Sequence, residues 1–466
     1  MQRIRFLLPV LTVLVLVGAW AAPAGATHNA DQHSPQATHL ANIPRSSDFR
    51  WNDPARGRSF QSDLAFQGNL AIAGNYNGFR VIDIADPANP RVVRDVWCPG
   101  PQNDVSIWGD VIVLSIDDVL TGSACGSTRA VPQTLETGWE GLRIFSLRQI
   151  LATAPAADGF TYVQPVAAVY TACGSHTHTG IPQPDRVLIY VSSYSLRSGP
   201  DCGPRDDPSD THDPLHNKIS IVEIPLANPA ASHLLKTSPV VMPPWTNLVG
   251  VPGFNALGGC HDIQVFPRLG LAAAACASVG QLWDISDPAN PKTATPLWTI
   301  DEPDVDFYHS AAFTWDGKVV VFGDESDEGQ CSGPHGKIWF HDTATGKLLG
   351  SFQIPRPQRE SGPVVDYCSA HMFNVLDTGR SYRLVAAWYT GGATVVDFTQ
   401  PDRAREVAFY DFAPAEPADT EGLWSAYAYN GYVYTNGLYR GFDSLFIPQA
   451  RAGQKHLPYL NPQTQV

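Results

Sequence analysis

The stretch Gly78–Pro90 reads GFRVIDIADPANP, and the chain writes it again at Gly280–Pro291 as GQLWDISDPANP. A unit repeated along one chain buries its faces against copies of itself, so this repeat restricts the fold more than composition does. Pro87 and Pro90 exclude continuation as a helix or as a central strand. Asp86 before Pro87 favours a turn.

Phasing the chain on that turn gives a four-strand pattern. Asp63 opens DLAFQGN, followed by LAIAGNY, GFRVIDI, the turn and RVVRDV. The same order recurs from Asp104, His176, His261, His309, His371 and Ser425, with insertions that make the spacing uneven. Four short strands per period of roughly 40 to 50 residues predict an all-β fold, a seven-bladed β-propeller of four-stranded antiparallel blades. Six or eight blades, or a β-helix, are the alternatives. The unit from Ser425 lacks a convincing fourth strand. Thr38 to Ile43 is the expected substitute, which would tie the chain ends together and leave few free edges.

GFRVIDIADPANP and GQLWDISDPANP resemble the signature of LVIVD-repeat proteins, a family of secreted or surface β-propellers. His309 to Gly329, HSAAFTWDGKVVVFGDESDEG, resembles a segment of the related choice-of-anchor B proteins. The resemblance implies a propeller and an extracellular setting, and no particular activity.

The N-terminus joins MQRIR to the apolar run FLLPVLTVLVLVGAW and then AAPAGA, the pattern of a secretory signal peptide over 1–26. The expected layout is this leader, a polar arm over 27–54, one propeller over 55–450 and a tail over 451–466. No second apolar run is long enough to span a membrane. Losing Arg3 and Arg5 with the leader takes the formal net charge from -14 to -16. Such an acidic surface excludes nucleic acid and anionic lipid as partners. It fits a secreted, extracellular monomer that binds a protein or small-molecule ligand.

Eight cysteines in a secreted chain predict four disulfides. First and second strands of a blade are antiparallel neighbours. The expected pairs are therefore Cys98–Cys125, Cys173–Cys202 and Cys260–Cys276 within blades, and Cys331–Cys368 between two blades. No Cys-x-x-Cys pair points to zinc.

First strands line a propeller's axis. In four consecutive blades their openings carry histidine: His176 with His178, His261, His309 and His371. Asp262 lies close by in sequence, and Asp324 and Glu325 end the strand beside His309. Imidazole and carboxylate together suit iron, copper, zinc or manganese. The acidic runs at 201–213 and Asp324–Gly329 are candidate calcium loops without EF-hand spacing. No G-x-S-x-G elbow supports a serine hydrolase. Two function classes follow. One is an extracellular binding scaffold with a His/carboxylate-lined axial pocket and recognition loops such as 201–216. The other is a metal-dependent, oxidoreductase-like enzyme with axial histidines as ligands.

Overall fold

The structure, a computed structural model, describes residues 30–45, 60–133, 135–192, 217–243, 259–325, 333–356, 368–414, 422–451, 453–461 and 463–465. The leader over 1–26, the loops 201–216 and 326–329, Cys202 and Cys331 lie outside these residues.

Seven antiparallel sheets follow one another in chain order as the blades of a β-propeller. Their innermost blade strands are Gln61–Gln67, Gln102–Trp108, Thr177–Pro182, Ile263–Phe266, Tyr308–Phe313, Phe373–Val375 and Leu423–Tyr429. Strand alternation explains the ring. In Gln61–Gln67, Leu64 and Phe66 pack with Tyr427, Tyr429 and Phe442 of blade seven. Ala65 between them faces Val105 and Ile107 of blade two. Val319 and Val321 of blade five face blade six, and Val320 and Phe322 face blade four. Each sheet thus offers one apolar face to each neighbour. The seven clusters of buried side chains coincide with the seven blade-to-blade interfaces, so the ring closes on itself.

The repeated turn is a pair of side-chain-stabilised turns. Asp83 accepts from the Ala85 N–H (2.9 Å) and Asp86 from the Ala88 N–H (3.0 Å), while Asn89 donates to Asp86 (2.8 Å). Asp284, Asp287 and Asn290 repeat those bonds in blade four. The turn also receives the preceding blade: Ser444 donates to the Pro87 carbonyl, and Tyr190 to that of Pro288 (2.7 Å).

Described segments from both the N-terminal and the C-terminal part of the sequence join the ring. Thr38–Pro44 pairs with Gly441–Phe446 as the outer strand of blade seven, and Gln32–His33 adds a fifth strand to blade six. Within 451–466, expected as a tail, the described residues 459–461 and 463–465 lie against the inner strands. Tyr459–Leu460 pairs with the inner edge of Gln61–Gln67. Asn461 donates to the Ile107 carbonyl (2.9 Å) and accepts from its N–H (2.7 Å). Thr464 donates to Gly180 O (2.7 Å), and Gln463 O and the Gln465 N–H bracket Val265. This plug therefore touches the inner strands of blades one to four.

Cys98–Cys125 and Cys260–Cys276 are disulfides, as expected. Cys173 and Cys368 are also disulfide-bonded. Their expected partners, Cys202 and Cys331, fall outside the described residues. No helix among the described residues is long and apolar enough to cross a membrane.

His341, in Ile338–Asp342 of blade five, gives a stability prediction. Its side chain is fully buried, Nδ1 donates to Gly346 O (3.1 Å), and burial holds its pKa down to about 4. A histidine depressed on folding is protonated first in the unfolded chain. Stability is therefore present above the unfolded value near 6.5 and is lost as pH falls towards 4. Urea titrations across that window should lose up to about 3 kcal/mol through this residue. His341→Gln should flatten the slope by about one proton. An unchanged slope would refute the assignment.

Candidate metal centre

The openings of the inner strands form one end of the channel. The blades are linked there, residue to residue. Thr177 Oγ donates to His261 O (2.7 Å), Ser310 Oγ to His371 O (2.9 Å), and the Asp262 N–H to His309 O (3.0 Å). These bonds hold the histidines of successive blades at one height. The ring centroids of His176 and His261 are 4.5 Å apart, those of His261 and His309 3.8 Å, and those of His309 and His371 4.4 Å.

Two groups of side chains each bring one ligand atom per residue within 4.8 Å of one another. One is His309, Glu325 and His371; the other is His261, Asp262 and His309. In the first, Glu325 Oε2 lies 3.3 Å from His309 Nε2, and its Oε1 lies 3.8 Å from His371 Nε2. His371 Nδ1 donates to the Trp424 carbonyl (2.5 Å), which fixes its tautomer and leaves the Nε2 lone pair facing Glu325. Tyr389 donates to Glu325 Oε1 (2.5 Å), and its ring lies 4.5 Å from that of His371.

Tyr389 reaches Glu325 from a left-handed backbone (φ 43°), a conformation that costs an L-residue energy. Blade seven holds it there: the Leu423 N–H donates to Tyr389 O (3.1 Å), and Gly422 lies so close that a Cβ would stand 2.3 Å from that carbonyl.

The electrostatics favour a cation. Burial, reinforced by neighbouring imidazoles, keeps His261 and His309 well below the usual histidine range. Burial holds His371 down to about 4. All three rings are therefore neutral at physiological pH, the state in which imidazole ligates a metal. Burial raises Glu325, and burial with the Asp104 carboxylate nearby pushes Asp262 up to about 7. Among the described residues neither carboxylate pairs with a lysine or arginine. Glu325 is the solvent-facing member, with 22% of its side chain exposed.

The sequence-selected residues thus divide. His261, His309, His371 and Glu325 come together. His176 meets His261 edge to face, but its Nδ1 donates to Asp117 (2.8 Å) and its Nε2 accepts from Gln102 (2.9 Å). His178 lies deeper, between the Ser106 and Ser115 hydroxyls (2.5 and 2.7 Å), in neither group. Asp324 faces away from the cluster and accepts from the backbone N–H groups of Asp306, Phe307 and Gly336 (3.1, 3.0 and 2.7 Å). Its role is to fold the loop that leads into His309.

Asp262 was not among the candidate ligands, although it follows His261 directly in the sequence. The available signal was an aspartate at the same offset in three first strands, Asp63, Asp104 and Asp262. Tyr389, Asp117 and the Trp424 carbonyl carried no such signal.

No protein-family model and no curated protein matches the chain. Among solved structures it is similar to the computationally designed Ika8 protein, at 12% identity and TM-score 0.43 over 84% of this chain and 96% of that one. A chain of a Mitotic Checkpoint Complex is similar at 10% identity and TM-score 0.47, over 93% and 99%.

Proposed function

We propose that this protein is a secreted, monomeric propeller of the LVIVD-repeat type whose axial mouth holds a transition-metal ion on His309, His371 and Glu325. One observation carries the reading: two neutral histidines and a carboxylate converge at one end of the channel, with the carboxylate at the solvent edge. Two histidines and one carboxylate suit iron(II), zinc or manganese, and three protein ligands leave positions for a substrate or water. A bound ion would supply Lewis-acid or redox chemistry there, and the reaction class we favour is oxidoreductase-like. The chain's own contribution is orientation. Trp424 O sets the His371 tautomer, and Tyr389 sets the Glu325 rotamer. The disulfide-bonded ring also fits an extracellular binding scaffold, and a metal at the mouth is compatible with one.

Elemental analysis of purified protein tests this. Near-stoichiometric iron, zinc, copper or manganese is expected, with occupancy of this position lost in His371→Ala. Tyr389→Phe keeps the ring packing and removes the bond to Glu325, so metal affinity should fall about 10- to 100-fold. A chelated protein that takes up none of these four ions would refute the proposal.

A further inference from the structure

Resting on that reading, we infer that the mouth holds two metal ions rather than one, joined through the imidazole of His309. His309 is the residue common to both ligand groups. The five side chains of the two groups do not combine into one set within the same 4.8 Å limit, so a single ion does not satisfy them together. An imidazole carries its two nitrogens on different edges of the ring, and each can face a different ion.

The side chains of the second group show what one ion leaves unmet. His309 Nε2 lies beside Glu325, but Nδ1 is buried with no hydrogen-bond partner, in a residue only 1% exposed. Both carboxylate oxygens of Asp262, also 1% exposed, accept no hydrogen bond. Thr177 lies near that carboxylate, but its hydroxyl proton goes to His261 O (2.7 Å). Leaving a buried polar group unmet costs about 1–3 kcal/mol, and more for a charged one. Ionic or polar groups persist in such a place when something pairs with them. An ion bound by His261, Asp262 and His309 meets both at once. An ion at His309, His371 and Glu325 meets neither.

Nitrogen and carboxylate ligands select a borderline divalent ion such as Zn(II) or Cu(II). The chemistry balances simply. Binding the second ion removes the remaining ring proton of His309, that proton leaves to solvent, and the imidazolate bridges the two ions with no change of oxidation state.

The test uses the full chain, freed of metal with a chelator and titrated with Zn(II) alone by calorimetry in two buffers, with elemental analysis of the product. Two Zn(II) per chain are expected, the second binding with release of about one proton. Asp262→Asn, which preserves shape, should retain one ion and lose affinity for the other by more than about 100-fold. Glu325→Gln should lose the other ion instead. Loaded with Cu(II), the wild-type protein should show a spin-coupled pair. Asp262→Asn should show the signal of a single isolated ion. Circular dichroism and thermal unfolding check that each variant is folded, and Asp262→Ser replaces any that is not. One Zn(II) in the wild type, unchanged in Asp262→Asn, overturns the second ion and leaves the single-ion reading standing. Two ions that are magnetically independent, or insensitive to Asp262, overturn the bridge. No bound Zn(II) or Cu(II) overturns the two-ion site, and the single-ion reading falls with it only if iron and manganese also fail to bind.

Discussion

Deleting residues 459–466 is expected to destabilise the ring by about 5 kcal/mol. The figure follows from the bonds this segment makes. Asn461, Gln463, Thr464 and Gln465 form hydrogen bonds to blades one to four, each worth about 0.5–1.5 kcal/mol net. Leu460 also leaves an apolar site shared with Phe66, Tyr427 and Tyr429, worth about 1.5–3 kcal/mol. Urea unfolding measures the effect. Hydrogen exchange should show deprotection of the inner strands of blades one to four and of blade seven, which the plug touches, and little change in blades five and six. The truncation also uncovers Asp63, whose Oδ2 accepts from Gln463 Nε2 (3.2 Å) and whose carboxyl is raised by burial and by Asp104. Opened to water, that carboxyl should return towards the ordinary range. Unchanged stability and unchanged exchange would mean that the segment does not close the channel.

Gly78→Ala is the second change with a large expected effect. Gly78 opens the third strand of blade one at φ 146°, and an added Cβ would stand 1.9 Å from the carbonyl oxygen of Val96. That obstacle is backbone of the paired outer strand, which cannot swing aside as a side chain would. Overpacking and dihedral strain act together here, and a loss of more than about 3 kcal/mol is expected. Gly68→Ala provides the control. Its φ is also positive, at 57°, but nothing lies within 4 Å of the added methyl. A loss of about 1–2 kcal/mol, the left-handed penalty alone, is expected there. Thermal unfolding of the two variants separates strain from collision. Equal losses would show that the Val96 contact is relieved at no cost.

The glycine of the repeated GFRVIDI segment thus has a steric reason that the letters do not display. The same holds for the turn that follows it. Its Asp, Pro and Asn announce a turn through local bonding that any copy makes alone, which is why it could be read from the chain. The seven openings were legible for a related reason: strand alternation and proline breaks are local properties. The closing strand was expected over Thr38 to Ile43 because the last unit lacked a fourth strand of its own. The plug was not visible. Its strand is two residues long, and its polar side chains make sense only against carbonyls of other blades.

The candidate site shows the same division. His176 and His178 stand two apart in one blade, and nothing in the letters separates them. The fold places one at the mouth beside His261 and the other between two serines of blade two. Asp324 and Glu325 are adjacent and chemically alike, yet neighbouring residues of an extended chain face opposite ways. One folds a loop and the other joins His309 and His371. The sequence by itself determined the four-strand blade pattern, favoured seven blades over six or eight, and showed the histidines that open four consecutive first strands, because these depend on short-range periodicity. Only the tertiary structure decided which nitrogens and oxygens converge, which are already bonded and which are left buried without a partner. Those facts depend on closing the ring, which sets side chains from different blades within bonding distance across large separations in sequence.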